Sequence, residues 1–459
     1  MKHLNLSVWF CLWCFMTGVL LLRPIGDEDV FTQIKLGQLM IERGELIHSE
    51  AFSYLNLGKE IRNPGWLAQG LLAIGYEAGG FMLLKFINAA LFALAVLLPL
   101  AAPGAAALMP RVFASLLAFV VLIPHCALRP QTISLLGFAL LLRFLLRSAG
   151  CLKQLLWWCF TFIIWQNSHP SLVMAVILAG VFLLADFKQI RVFLPMILLA
   201  FVCQLLTPDG LAVFEVGSRN LEISRNLLGI SEWVPPWSAM VRDAVQPFWL
   251  SLAITALLVC RYWKLLQLRE WLLFSVFCGL SLYAARFTAY FALAMVPVWG
   301  SLFNPICGRL LIPIPRLRRV LCALGVLMLP FGYLSGPVIQ NEGLPLAAIQ
   351  KLQALKIKGH IYNYREWGGP LTFYGYPDWQ VALDGRLYLY PPPLWDEYSQ
   401  AALGHGQLED LIGRHRPAAF FLNRQFQSGL IEQIAKGVEW CSLFQDEQAE
   451  LFVECTRVP

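Results

Sequence analysis

Three consecutive acids, Asp27, Glu28 and Asp29, stand in the segment RPIGDEDVF, directly after the first apolar run of the chain. Carboxylates this close together can do three things. One can serve as general base toward a hydroxyl nucleophile. Two or three can hold a hard divalent cation such as Mg or Mn through oxygen. The third possibility is structural. DVFTQIKLGQLMIERG reads as a helix with Phe31, Ile34, Leu36, Leu39 and Met40 on its apolar side and Gly44 as its stop. Asp27 would then cap this helix, with Glu28 and Asp29 in its first turn, where the backbone dipole favours negative charge. The residues alone leave all three open.

A second set of polar residues falls at the ends of apolar runs: Arg129 in LRPQ, Asn167 and His169 in WQNSHPS, Glu232 in SEWVPP and Arg286 in YAARFTAY. Polar groups at membrane depth are costly and therefore site candidates. Arg129, His169 and Arg286 are candidate cations for a phosphate, Asn167 could orient any of them, and Glu232 could belong to a lid or contact an acceptor. The structural readings are a snorkelling arginine, a histidine satisfied within the bundle, and a proline-capped turn with an interfacial tryptophan. Arg365 in NYREWGG is a further cation, and LDGR, with Asp384, Gly385 and Arg386, reads equally as a ligand-binding strand end or a salt-bridged glycine turn. The chain has no P-loop, no G-x-S-x-G and no zinc spacing, and His360, His405 and His415 are scattered.

The elements that must carry these residues are mostly membrane spans. Of the 459 residues 58% are hydrophobic and only 14% are charged, with a mean hydropathy of +0.61, against about 25% charge in an ordinary soluble domain. Apolar runs at 7–22, 80–102, 112–128, 131–147, 154–168, 171–186, 192–207, 247–260, 270–286, 287–302 and 320–337 predict a polytopic α-helical protein of about eleven spans. The first run lacks a small-x-small cleavage site and reads as a retained span. Residues 66–76 are too short to cross and either lie at the interface or extend the second span.

Basic residues cluster in alternate connections: Arg111; Arg143, Arg147 and Lys153; Lys188 and Arg191; Arg261, Lys264 and Arg269; and Arg309, Arg316, Arg318 and Arg319. The positive-inside rule then puts the N-terminus in the cytoplasm. The first loop (23–65), the loop 207–246 and everything after 339 fall on the opposite side of the membrane. The net charge of +6 is thus a topology signal, not a nucleic-acid signature.

Residues 340–459 differ in composition and predict a separate extracytoplasmic α/β domain. The expected order is helix 345–356, strand 359–363, a short helix after WGG, strand 380–384, helices near 393–403 and 407–414, strand 418–423, helix 429–436 and a hairpin over 439–455. Cys441 and Cys455 are equidistant from the hairpin turn, a spacing compatible with a disulfide in an oxidising compartment, but the residues alone leave the pairing open. Most other cysteines lie in apolar runs as packing residues, Cys11 and Cys14 included.

The run GDED, then KLGQLMIERGELIHSEAFSYLNLGKE and NPGWLAQGLLA, resembles the first loop of bacterial GT-C membrane glycosyltransferases, in a poorly characterised branch of that superfamily. LRPQ, WQNSHPS, TPDGL, SEWVPP, ARF and the tail's NYREWGGPLTFYG and VALDGRLYLY follow in the same order, so the resemblance spans nearly the whole chain. The chain has Gln33 where the branch often has histidine, Gly65 where it commonly has glutamate, and Thr207 where it commonly has asparagine.

The resemblance implies a GT-C-like bundle that transfers a sugar, with inversion, from a polyprenyl-phosphate donor to an envelope lipid, glycan or protein. It implies Asp27 or Asp29 as base and Arg129, Asn167, His169, Glu232, Arg286 and Arg365 as substrate contacts. A divalent cation on Asp27, Glu28 and Asp29 is the alternative use of the acids. The competing expectation is a non-catalytic scaffold or carrier in lipid-intermediate handling. A transporter is disfavoured, because the unusual loops share one face and no inverted repeat is evident.

Overall fold

The computed structural model describes residues 2–101, 108–147, 154–227, 230–307, 314–339 and 343–457. The basic residues Lys153 and Arg309 lie outside them. The chain forms two compact units, one of residues 1–24, 79–213 and 228–338, the other of residues 25–78, 214–227 and 339–459.

The first unit is helical, and every apolar run read as a span forms helix. Its core interleaves large aromatics, with Phe138 edge-on to Phe277 and Tyr290, and Phe291 edge-on to Phe248 and Trp299. Helix Lys2–Leu21 packs on helix Ile314–Ser335 at backbone contact: a side chain on Gly18, Gly325, Gly332 or Gly336 would strike the partner helix's carbonyls. Small residues allow such an approach where no water-driven force pulls helices together.

Among the described residues four helices are long and apolar enough to cross a membrane: Trp66–Leu97, Leu108–His125, Ala239–Leu265 and Ala285–Cys307. The runs 171–186 and 192–207 form a pair bent by 120°, which makes at most one more. The expected count of about eleven is therefore not met by length and composition. Helices Gln131–Leu146, Gln154–Ser168 and Leu268–Tyr283 have 16, 15 and 16 residues. At about 1.5 Å per residue they fall short of the roughly 30 Å core. Residues 66–76 extend the second apolar run, but the long helix is interrupted at Gly79 and Gly80, whose dihedrals are not helical.

The second unit holds a five-stranded sheet: β1 (Gly359–Asn363), β2 (Trp379–Val381), β3 (Pro417–Asn423), β4 (Trp440–Gln445) and β5 (Ala449–Glu454), in the order β2-β1-β3-β5-β4. β1 runs parallel to β2 and β3, while β5 is antiparallel to β3 and β4. The helices Leu346–Ala354, Gly368–Gly375, Pro392–Ala402, Leu408–His415 and Ser428–Lys436 agree with the sequence expectation to within a few residues. Ile349, Leu352, Ile361, Trp367, Leu371, Phe421, Leu451 and Val453 form the core. Cys441 and Cys455 are joined across the hairpin, with Cα atoms 4.9 Å apart.

The first-loop segment belongs to this unit. Its helix runs Asp29–Arg43 and ends at Gly44, in the left-handed region at φ 67°. Ser53 bridges Val381 in parallel, with Tyr54 N–H donating to Val381 O at 3.1 Å and Val381 N–H to Phe52 O at 2.9 Å. The loop thereby lengthens the β2 edge.

Candidate functional site

Within the helical unit, four chain segments bring Arg129, His169, Glu232 and Arg286 into one polar cluster. Arg129 follows a short turn after helix Leu108–Leu122, and Glu232 sits in a single helical turn, Ser231–Trp233. The Arg129 guanidinium donates to the Glu232 carboxylate, and the pair is half-buried. Arg286, in the turn Ala285–Phe287, lies over the Trp233 ring at 4.2 Å from its centroid. Burial pushes the Glu232 carboxyl up, but Arg129 and then Arg286 outweigh it and hold the group below the usual carboxylate range. Two guanidiniums around one carboxylate leave positive charge for an anion.

His169 is oriented by neighbours of its own. Its Nδ1 is 2.9 Å from both Ser134 Oγ and Ser171 Oγ, and Ser171 also accepts from the Trp165 indole at 3.0 Å. Asn167 is buried two residues earlier, and its amide donates to Ile163 O and Leu206 O, tying the helix end to the next connection.

Two residues here escaped the sequence reading. His125 Nε2 meets Thr288 Oγ1 at 2.7 Å and interacts with Glu232 and Arg286. Arg23, just after the first helix, faces His125 and Cys126, and its Nη1 is buried without a hydrogen-bond partner among the described residues. His125 sits in HCALRPQ, next to a segment already singled out. Arg23 had only its place beside the acidic trio.

The acidic trio belongs to the sheet-containing unit. Asp27 is buried, and its Oδ1 accepts the N–H of Asp29, the first helical residue, at 3.0 Å. Glu28, not Asp27, holds the N-cap position and makes no side-chain capping bond, so the expected cap is displaced: Asp27 accepts the first helical N–H from one residue before the cap, and Glu28 stands outside the first turn. Burial, then Asp27, Glu366 and Asp29, push the Glu28 carboxyl up to about 8. It is thus held protonated near neutrality. The Asp29 carboxylate lies in the space where Gly385 has no side chain. The Glu28 backbone carbonyl and the Thr32 hydroxyl also come close to Gly369 of helix Gly368–Gly375. The loop's acids and the tail's EWGGPL and LDGR motifs therefore form one layer.

Behind that layer is a buried ion cluster. Arg386 donates to Glu50 through Nη1 at 2.7 Å and Nη2 at 2.8 Å, and to Asp384 through Nε at 3.0 Å and Nη2 at 2.5 Å. Glu50 also accepts the N–H groups of Phe52 and Ser53, each at 2.7 Å. The Glu50 and Asp384 side chains have no exposure and Arg386 has 7%. Arg365 stays outside this cluster. It pairs with Glu366 at 2.6 Å, and its backbone N–H donates to the Tyr398 hydroxyl.

Among the described residues no group of three or more His, Cys, Asp or Glu side chains is placed to hold a metal ion. Asp27 Oδ1 is engaged by backbone, the Asp29 carboxylate is packed on Gly385, and Glu28 is driven toward its neutral form. The trio as arranged does not fit the divalent cation expected from its residue types.

No family model matches the chain, and no curated protein matches it in sequence. Solved structures do match in fold. The oligosaccharyltransferase of Archaeoglobus fulgidus aligns over 93% of this chain and 70% of its own at 12% identity, TM-score 0.61. A further structure of that enzyme holds an inhibitory peptide and a dolichol-phosphate. The mycobacterial arabinofuranosyltransferase AftD aligns over 99% of this chain and 40% of its own at 11% identity, TM-score 0.54. ArnT of Cupriavidus metallidurans, bound to undecaprenyl phosphate, aligns over 99% of this chain and 97% of its own at 12% identity, TM-score 0.52. The chain shares the fold of these solved structures, the likeness that the ordered motifs led one to expect.

Proposed function

We propose that this chain is a membrane glycosyltransferase that moves a sugar from a polyprenyl-phosphate-linked donor to an envelope lipid, glycan or protein. The supporting observation is the arginine cluster. Arg129 and Arg286 gather around Glu232 at the ends of apolar helices, in a fold shared with ArnT, whose structure holds undecaprenyl phosphate. Guanidiniums suit the charge that develops on a departing phosphate. His169 and Asn167 border the same stretch of chain and orient its backbone and side chains.

On this reading a first-loop carboxylate, Asp27 or Asp29, takes the proton of the acceptor hydroxyl as the oxygen attacks the anomeric carbon. The configuration inverts and the lipid phosphate leaves. Arg365 and the 340–459 domain would contribute to the acceptor side, outside the cytoplasm. A divalent cation has no fitted ligand set here, so no step is assigned to it.

The test is replacement of Asp27 and Asp29 by Asn, singly, in a strain deleted for the native copy, with envelope lipids and glycans analysed by mass spectrometry. Loss of one defined glycosylation product in at least one variant, at normal protein levels, supports the proposal. Full restoration by both would overturn the base assignment and favour a non-catalytic carrier.

A further inference from the structure

Resting on the reading of a first-loop base, we infer that Gly385 and the Glu50–Arg386–Asp384 ion cluster are positioning residues for the Asp29 carboxylate. The observation is geometric. Asp29 Oδ1 occupies the volume that a side chain at position 385 would fill, so the carboxylate is seated directly on the tail's backbone. That seat lies in the middle of the Asp384–Gly385–Arg386 turn, which is held from both sides. Arg386 N–H donates to Asp384 Oδ1 at 2.9 Å, and Asp384 N–H donates to the Tyr390 hydroxyl at 3.1 Å. The Arg386 guanidinium then ties the turn to Glu50, a residue of the same first loop that carries Asp29.

Each end of the loop segment thus meets the same three-residue turn. Asp29 rests on it at one end, and Glu50 is locked to it at the other. A base is effective only when its carboxylate is held within hydrogen-bonding reach of the proton it removes. A buried, fully bonded support shell is what holds such a group in place. Asp29 is the member of the acidic trio that receives this support, whereas Asp27 spends an oxygen on its own helix. The turn itself touches no reacting atom in this scheme; it acts through Asp29.

Gly385→Ala isolates the effect. Gly385 has no left-handed φ, so alanine fits the backbone there, and the added methyl meets only the movable end of the Asp29 side chain. The readout is carbodiimide labelling of the full-length protein in detergent, quantified at Asp29 by mass spectrometry, with exposed Asp410 as internal reference. The expected result is a several-fold rise in Asp29 labelling with Asp410 unchanged. Glu50→Gln, which keeps the size of the side chain and leaves Arg386 paired with Asp384, should give a smaller rise in the same direction. Unchanged Asp29 labelling in both variants overturns the inference, whatever happens to activity.

The functional arm is a double-mutant comparison. If Asp29→Asn abolishes the glycosylation product, Gly385→Ala should reduce it, and the double variant should be no worse than Asp29→Asn alone. Independent, additive losses would overturn the positioning role. If Asp29→Asn retains product while labelling rises as expected, the seat stands as geometry and the assignment of Asp29 as base is what fails.

Discussion

Glu50 and Arg386 stand 336 residues apart in the chain and share two hydrogen bonds of 2.7 and 2.8 Å with almost no exposure to solvent. Asp384 supplies the second carboxylate, so one guanidinium serves two buried acids. Removing the cation leaves both acids uncompensated, and breaking buried pairs of this kind costs about 3–5 kcal/mol. Arg386→Met should lower the thermal midpoint of the purified protein sharply. Glu50→Gln should lower it far less, because Asp384 still pairs with the arginine. Equal midpoints for wild type and Arg386→Met would show that the cluster contributes nothing to stability.

Glu28 gives a pH dependence with a definite sign. Its folded pKa is about 8, against 4.5 for an ordinary glutamate. Below 4.5 both folded and unfolded states are protonated and the contribution is fully present. As pH rises, the unfolded state releases its proton first, and stability falls until the folded carboxyl ionises near 8. Glu28→Gln removes that titration. The variant should match wild type near pH 4 and exceed it by up to about 5 kcal/mol at pH 9. Parallel stability curves across this window would contradict the assignment.

Arg286 offers a binding prediction. A hydrogen bond to a charged partner contributes about 1.5–3 kcal/mol. Arg286→Ala should therefore weaken binding of a polyprenyl phosphate to the purified protein by roughly 10- to 150-fold. Trp233→Ala, which removes only the ring beneath the guanidinium, should cost less. Titration calorimetry in detergent separates the two, and unchanged affinity in Arg286→Ala would remove it from the donor site.

The Cys441–Cys455 bridge closes a loop with a sequence separation of 14. For a loop of that size the chain-entropy account gives about 3 kcal/mol. Replacing both cysteines by serine should destabilise the sheet domain by this order. Alkylation of intact cells before lysis should leave both thiols unmodified, whereas reduction first should expose them. Free thiols in cells would place the tail in a reducing compartment, contrary to the proposed topology.

Local patterns made much of this legible. The helix Asp29–Arg43 with its Gly44 stop and the strands at 359–363 and 417–423 follow from periodicity and from turn residues a few positions away. The same local reading sets Cys441 opposite Cys455, but whether they pair is decided by the structure. The span count did not survive in full, because apolar composition marks a helix as buried without saying how long it runs before it bends. Val173–Ala185 and Phe187–Cys203 read as two spans, and Asp186 sits at a 120° bend between them.

The candidate site was legible in its members but not in their partners. Arg129 and Glu232 stood out separately, each at the end of an apolar run, and nothing local pairs residues 103 positions apart. LDGR reads equally as a ligand-binding strand end and as a salt-bridged turn, and the acid that decides for the salt bridge, Glu50, lies within an ordinary-looking HSEAF. His125 and Arg23 were overlooked because their significance comes only from what surrounds them.

The parallel bridge of Ser53 to Val381 also sets an order of events during synthesis. The first-loop segment leaves the ribosome more than three hundred residues before the strand it joins and the arginine that neutralises Glu50. At about 5–20 residues per second that interval is roughly 15–65 seconds. Through it Glu50 has no Arg386, and the backbone groups of Phe52 and Tyr54 have no β2 to receive them. A transcript that ends early, or a ribosome that stalls in the apolar helices, therefore releases a chain whose loop has no sheet to complete. Such a product presents an unpaired strand edge to any neighbour.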